Sequence, residues 1–198
     1  MRISILGRGP LAAPLARLAE RAGHTVRWAA ADAAPSRADD AADLAILAGS
    51  RAAVESMLAR IPLSISQDIV VVDATIPTEN DSHGDGAEAT GSDADWIKTA
   101  LPLARIVRAF ASVPAEALAA VLDRPTSGQP ASLAVPLAGD DRQAKALVGT
   151  FMREIGVEPF DLGALGSADV LDPGGALWGK ALSPVEMLEA VGWLSGDG

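Results

Sequence analysis

Cysteine and tyrosine are absent from this 198-residue chain, and histidine occurs only twice, as His24 and His83. Without cysteine there can be no disulfide, thiolate nucleophile, zinc finger or iron–sulfur cluster. Few side chains remain that titrate near neutrality, so proton-transfer chemistry has a short list of agents. No apolar run approaches the ~18 residues of a membrane span. The opening MRISILGRGP lacks the basic n-region of a signal peptide, and a cytoplasmic protein is expected. Positive charge is scarce: 16 Lys and Arg face 26 Asp and Glu, a net charge of −10. Such a surface repels phosphate backbones and anionic lipid, so neither nucleic acid nor membrane is an expected partner. A single nucleotide remains compatible, because backbone dipoles can hold a phosphate in an acidic protein.

The composition is globular, at 49% hydrophobic and 21% charged residues. Alanine supplies about one residue in five, which weakens any helix argued from propensity alone. Periodicity is the better guide. It predicts strands at 2–6, 25–28, 43–48, 68–74, 105–110, 132–138 and 157–161, with Pro136 placing the sixth at an edge or a strand end. It predicts helices at 10–22 (Pro10 in the first turn, Gly23 as terminator), 50–60 (capped by Ser50), 92–101, 114–122 and 141–155 (capped by Asp140, ended by Gly156). Ser183-Pro184-Val185-Glu186 matches a capping box and opens a last helix. Alternating strands and helices give an α/β class with a mostly parallel sheet. The expected organisation is one Rossmann-like domain over 1–198, shortened between strands 2 and 3, with 163–198 as a C-terminal helical extension.

Gly7-Arg8-Gly9-Pro10-Leu11-Ala12 follows a strand and opens a helix, which is the context a dinucleotide-binding G-x-G-x-x-A requires. Gly7 permits the tight turn, Gly9 lets a pyrophosphate approach the backbone, and small Ala12 lets helix and strand pack closely. Gly7, Arg8, Gly9, Pro10 and Leu11 are the expected pyrophosphate contacts. The ribose should be read beyond the second strand, where Ala31 and Asp32 stand. Asp32 lies slightly past the expected place, and a solvated loop aspartate is the favoured reading. Arg27, Arg37 and Arg51 could each meet a 2′-phosphate.

Ligands of open parallel sheets sit beyond the carboxyl ends of the strands. Ala48, Gly49, Ala74 and Thr75 are therefore candidates for the nicotinamide ribose side. Ile76, Pro77, Phe110, Ser112 and Trp178 are candidates for the hydride acceptor side. His83 falls in the acidic stretch 77–95, where a solvated loop histidine is the favoured reading and the absence of regular ligand spacing argues against a metal. Met187, Leu188, Val191 and Leu194 form an apolar stripe that a homodimer or intramolecular packing would explain equally.

Several segments resemble the NADPH-dependent F420 (deazaflavin) reductases. They are Ile5-Leu6-Gly7-Arg8-Gly9, Ala22-Gly23-His24, Val72-Asp73-Ala74-Thr75-Ile76-Pro77, Leu101 through Phe110, Ala138-Gly139-Asp140-Asp141 and Leu171-Asp172-Pro173 through Trp178. The resemblance implies a Rossmann fold, NADP or NAD as cofactor, and hydride transfer to coenzyme F420 or another small acceptor. The chain departs from that pattern at Ala30-Ala31, Gly49-Ser50, Ile76 and Ala111-Ser112, all on the ligand side. A non-catalytic dinucleotide-sensing or protein-binding module is the alternative, and no catalytic side chain is assigned.

Overall fold

The computed structural model of the chain describes residues 1–29, 42–58, 69–76, 93–124 and 131–195. Seven strands form one sheet: β1 Arg2–Leu6, β2 Thr25–Ala29, β3 Leu44–Leu47, β4 Val70–Asp73, β5 Arg105–Ala109, β6 Ala134–Gly139 and β7 Glu158–Asp161. Their order is β2-β1-β3-β4-β5-β6-β7. The first five are parallel, β6 is antiparallel to β5, and β7 is parallel to β6. The sheet is thus mostly parallel and Rossmann-like, as expected. Every residue of β3 and β4 is buried, which is what the unbroken apolar runs Leu-Ala-Ile-Leu and Val-Val-Val implied.

Among the described residues, six α-helices cover the two faces: α1 Ala12–Arg21, α2 Arg51–Leu58, α3 Asp93–Ala100, α4 Ala115–Ala120, α5 Arg142–Glu154 and α6 Pro184–Ser195. The pleat sorts the strands between them. Ile3, Ile5, Ile46, Val72, Val107 and Val135 pack with α1, α4 and α5. Ala45, Leu47, Val71, Ile106 and Ala138 pack with α2, α3, the 3-10 turn Leu165–Leu171 and α6. Each fully buried Leu, Ile or Phe in these layers contributes about 1.5–3 kcal/mol by transfer from water.

Local signals place most boundaries. Ser50 Oγ accepts from the Ala53 N–H at 3.2 Å at the start of α2. The α6 capping box forms reciprocally: Ser183 N–H donates to Glu186 Oε2 at 2.8 Å, and Glu186 N–H donates to Ser183 Oγ at 3.4 Å. Hydrogen bonding from the Ser183 hydroxyl first, and from the Ser183 N–H second, holds the Glu186 carboxyl below its ordinary range. Gly23 and Gly156 end α1 and α5 with φ of 85° and 94°.

Three expectations need correction. Asp141, not Asp140, caps α5, accepting from Ala144 N–H at 2.9 Å. Asp140 instead takes Lys98 Nζ at 2.5 Å and Leu165 N–H at 2.9 Å, which tie α3 and the 3-10 turn to the end of β6. Those bonds lower the Asp140 pKa, the Lys98 bond most of all. Pro10 precedes α1, whose first helical residue is Ala12. Pro14 occupies the first turn, where a missing N–H costs nothing.

β6 is not an edge strand, since it lies between β5 and β7. Leu133, Leu137 and Gly139 bond toward the β7 side, so Pro136 turns its nitrogen toward β5. The β5 pairing ends at Ala109↔Leu137, one step short of Pro136, so no ladder bond is lost there.

Candidate functional site

From β1 the chain turns outward to β2, then crosses back to β3 on the other flank of β1. The switch point is therefore the β1/β3 carboxyl edge, where open α/β sheets place their ligands. Two backbone turns meet there. Gly9 N–H donates to Ala48 C=O at 2.8 Å, and Ala48 N–H donates to Leu6 C=O at 2.7 Å. Gly7 has φ 108°, and a Cβ on it would stand 2.5 Å from Ala48 O; one on Gly9 would stand 2.9 Å from Gly49 Cα. Both glycines are thus fixed by the approach of the β3 turn. Gly9 has a structural duty in addition to the ligand role expected of it, and its N–H is already committed. Ile76 N–H donates to Gly49 C=O at 3.0 Å, which brings the β4 end to the same turn.

The start of α1 suits an anion. Its N-cap, Leu11, offers no side-chain cap, and its first turn carries no acid. Arg8 is exposed beside it. Arg51 is otherwise engaged: it bonds Glu55 at 3.3 Å and lies 5.0 Å from the Trp96 ring centroid.

The β4–β5 side is built differently. Arg108 on β5 and Asp73 at the end of β4 form an ion pair in which both side chains are 0% exposed. Arg108 Nη1 donates to Asp73 Oδ2 at 2.7 Å. Asp73 Oδ1 accepts from the Thr75 hydroxyl at 2.7 Å and from its N–H at 3.0 Å. Arg108 Nε and Nη2 donate to Asp172 Oδ1 at 3.0 and 2.5 Å. One guanidinium therefore spans two strands and the C-terminal segment, in the bidentate manner only arginine allows.

Phe110 follows β5 with φ 67°, a left-handed conformation rare for a bulky residue. Its ring is fully buried, edge-on to Phe151 at 6.3 Å. It supports the site from behind and does not face a ligand from the edge. The left-handed turn passes the chain to Ser112, whose C=O accepts from Gly179 N–H at 2.8 Å.

Of the residues expected from sequence, Gly7, Gly9, Ala48, Gly49, Ala74 and Ile76 come together at the β1/β3/β4 edge, with Arg8, Pro10 and Leu11 beside them. Leu11 is buried in the core. Thr75 is buried, and both its hydroxyl and its N–H are spent on Asp73. Ser112 and half-buried Trp178 stand on the β5 side. Ala31, Asp32, Pro77, Arg37 and His83 lie outside the described residues. The sequence reading missed Asp73, Arg108 and Asp172. The only sequence signal was a charge at the end of each apolar run, in Val-Val-Val-Asp and Arg-Ile-Val-Arg-Ala; their pairing appears only with the register.

No family model matches the chain, and no curated protein matches it. Solved structures do. A hypothetical protein of Sinorhizobium meliloti superposes with TM-score 0.72 at 20% identity, over 92% of this chain and 95% of that one. A protein of Arthrobacter sp. FB24, provisionally designated an F420-dependent NADP-reductase, gives TM-score 0.70 at 21% identity over 92% and 99%. A reductive aminase of Aspergillus terreus, solved with NADPH and ethyl levulinate, gives 0.60 at 18% identity, covering 98% of this chain but 62% of its own. The fold and the glycine turn define a Rossmann-like α/β architecture. The resemblance read in the sequence agrees with the Arthrobacter structure at the level of fold. Among the described residues, no helix is long and apolar enough to cross a membrane, and no group of His, Asp or Glu is arranged to hold a metal.

Proposed function

We propose that this chain is a dinucleotide-dependent oxidoreductase that takes NADP(H) and exchanges a hydride with a small organic acceptor. The carrying observation is the β1/β3 edge, where the Gly7–Leu11 turn leads from β1 into the uncapped start of α1, whose dipole is offered to a phosphate. Gly7, Arg8, Gly9, Pro10 and Leu11 would bind the pyrophosphate, with Arg8 supplying the positive charge. Ala48, Gly49, Ala74 and the backbone of Thr75 would follow the nicotinamide ribose. Ile76, Ser112 and Trp178 would flank the acceptor. The bound nicotinamide supplies the hydride chemistry. This chain binds, orients and excludes water, work that needs aligned rings more than a protein acid.

The Arthrobacter and Aspergillus neighbours support NADP as the cofactor, and the former supports a deazaflavin as the acceptor. The decisive experiment is calorimetric titration of NADPH, NADP, NADH and NAD, followed by turnover with coenzyme F420. We expect micromolar binding, tightest for an NADP form. Absence of binding to a folded protein would overturn the proposal. A second reading, a dinucleotide-sensing module without chemistry, is favoured by one observation: the Thr75 hydroxyl at the edge is committed to Asp73. Binding without turnover on any acceptor would select it.

A further inference from the structure

Arg108 does more than fill a buried position. The segment from Asp172 to Leu182 runs across the carboxyl edge and is fastened at three points. Asp172 takes Arg108 on β5. Gly179 N–H takes Ser112 C=O just beyond β5, and Leu182 C=O takes Ala134 N–H at the first residue of β6. Two of these anchors are backbone contacts, one of them the isolated antiparallel bridge between Ala134 and Leu182. Only the first is charged, and it joins the segment to the same guanidinium that fixes Asp73 and Thr75 at the end of β4. Gly175 packs the segment against the preceding 3-10 turn, since a Cβ there would stand 2.5 Å from Val170 O. Trp178 lies between Asp172 and the Gly179 anchor, half-buried.

A guanidinium buried with carboxylates is a poor source of stability, because desolvation cancels most of the attraction. Its value is directional. Arg108 presents Nη1 to one strand and Nε with Nη2 to the segment, so the β4 end and the segment cannot move independently. We propose that Arg108 is a positioning residue, which through Asp172 clamps residues 172–182 across the carboxyl edge and so holds Trp178 as the acceptor-side wall of the site. This rests on the proposed oxidoreductase reading for the word acceptor, but the clamp itself does not.

The test uses Asp172→Asn, which keeps the shape and removes the charge, with Asp172→Glu as the rescue variant. Amide exchange of Leu177, Gly179 and Ala134 should rise roughly tenfold in Asp172→Asn, while Gly9 and Ala48 stay unchanged. Acrylamide quenching of Trp178, isolated by difference from Trp178→Phe, should increase, and Asp172→Glu should restore part of both. With NADPH and coenzyme F420 as probes, KM for F420 should rise several-fold with the NADPH Kd within about twofold. Unchanged exchange and quenching would overturn the clamp, as would a uniform rise that includes Gly9 and Ala48. An open segment with unchanged KM would overturn the positioning role. If the wild-type protein binds no dinucleotide, the functional reading fails, while exchange and quenching still decide the clamp.

Discussion

At the β1–β3 side of the carboxyl edge the chain is held backbone to backbone: Gly9 N–H on Ala48 C=O, with glycines wherever a Cβ would collide. At the β4–β5 side, two strands away, it is held by charged side chains that reach across the fold from residue 73 to 108 to 172. The first side needs no side chain to hold it, because the two turns bond peptide to peptide. The second fixes the geometry of a wall without exposing the groups that fix it. One edge of a single sheet can thus be built from backbone turns on one side and from a buried ion network on the other, so that either can change without the other.

The sharpest way to break this contrast is to remove the guanidinium. Arg108→Met strands Asp73 in a fully buried site and should cost about 3–5 kcal/mol in urea unfolding. A loss under about 1 kcal/mol would show that the β4–β5 side is held by apolar packing, as elsewhere in the sheet. On the glycine side, Gly7→Ala forces a side chain into a φ of 108° and to 2.5 Å from Ala48 O, and about 2–4 kcal/mol should be lost. Gly49→Ala is the internal control. Its Cβ would find its nearest neighbour at 3.7 Å, and the change should stay within about 1 kcal/mol. Equal losses for Gly7 and Gly49 would show that neither the left-handed φ nor the close approach at Gly7 decides where glycine is needed.

The same contrast explains what the sequence made legible. The Gly-rich turn, the strands of both apolar layers and the α6 capping box are local patterns, each read within about ten residues. The buried ion network is not local. Arg108 in Arg-Ile-Val-Arg-Ala reads as an ordinary strand residue until the register places it beside Asp73, and nothing near residue 172 announces an Arg partner. Thr75 was expected at a ligand and is spent on Asp73 for the same reason. Asp140 and Asp141 are both competent caps, and only the tertiary demand of Lys98 and Leu165 decides between them. The Phe110 turn left no trace either, since a left-handed phenylalanine goes against its own propensity.

A smaller effect sharpens the role of the segment that follows the clamp. Ser183→Ala removes the Oγ that receives Glu186 N–H and should cost about 1 kcal/mol. If the clamp is set upstream at Asp172, amide exchange at Gly179 should be unmoved while the first turn of α6 frays. Simultaneous loosening at Gly179 would mean that α6, rather than Arg108, holds the segment in place.

The smallest effect should belong to neither side, and its independence is itself a test. His24 lies at the opposite edge of the sheet, next to the Thr25 N–H that donates to Met1 C=O. Its side chain is 6% exposed, Nδ1 is 3.3 Å from the N-terminal amine, Nε2 is 3.3 Å from Glu154, and the ring contacts Phe151. Burial lowers its pKa most, the N-terminal charge lowers it further, and Glu154 opposes them. The unfolded chain therefore binds this proton more readily than the folded one does. Stability is intact above the ordinary value of 6.5 and is lost as pH falls from there toward the lower folded value. His24→Gln should flatten urea midpoints between pH 7 and 5 relative to the wild type, without altering exchange at Gly9 or Gly179. If the acid loss survived the substitution, it would have to come from other groups, such as Asp43 and Asp140, whose carboxyls are held low by the bonds from Arg2 and from Lys98 and whose contribution is likewise lost as pH falls.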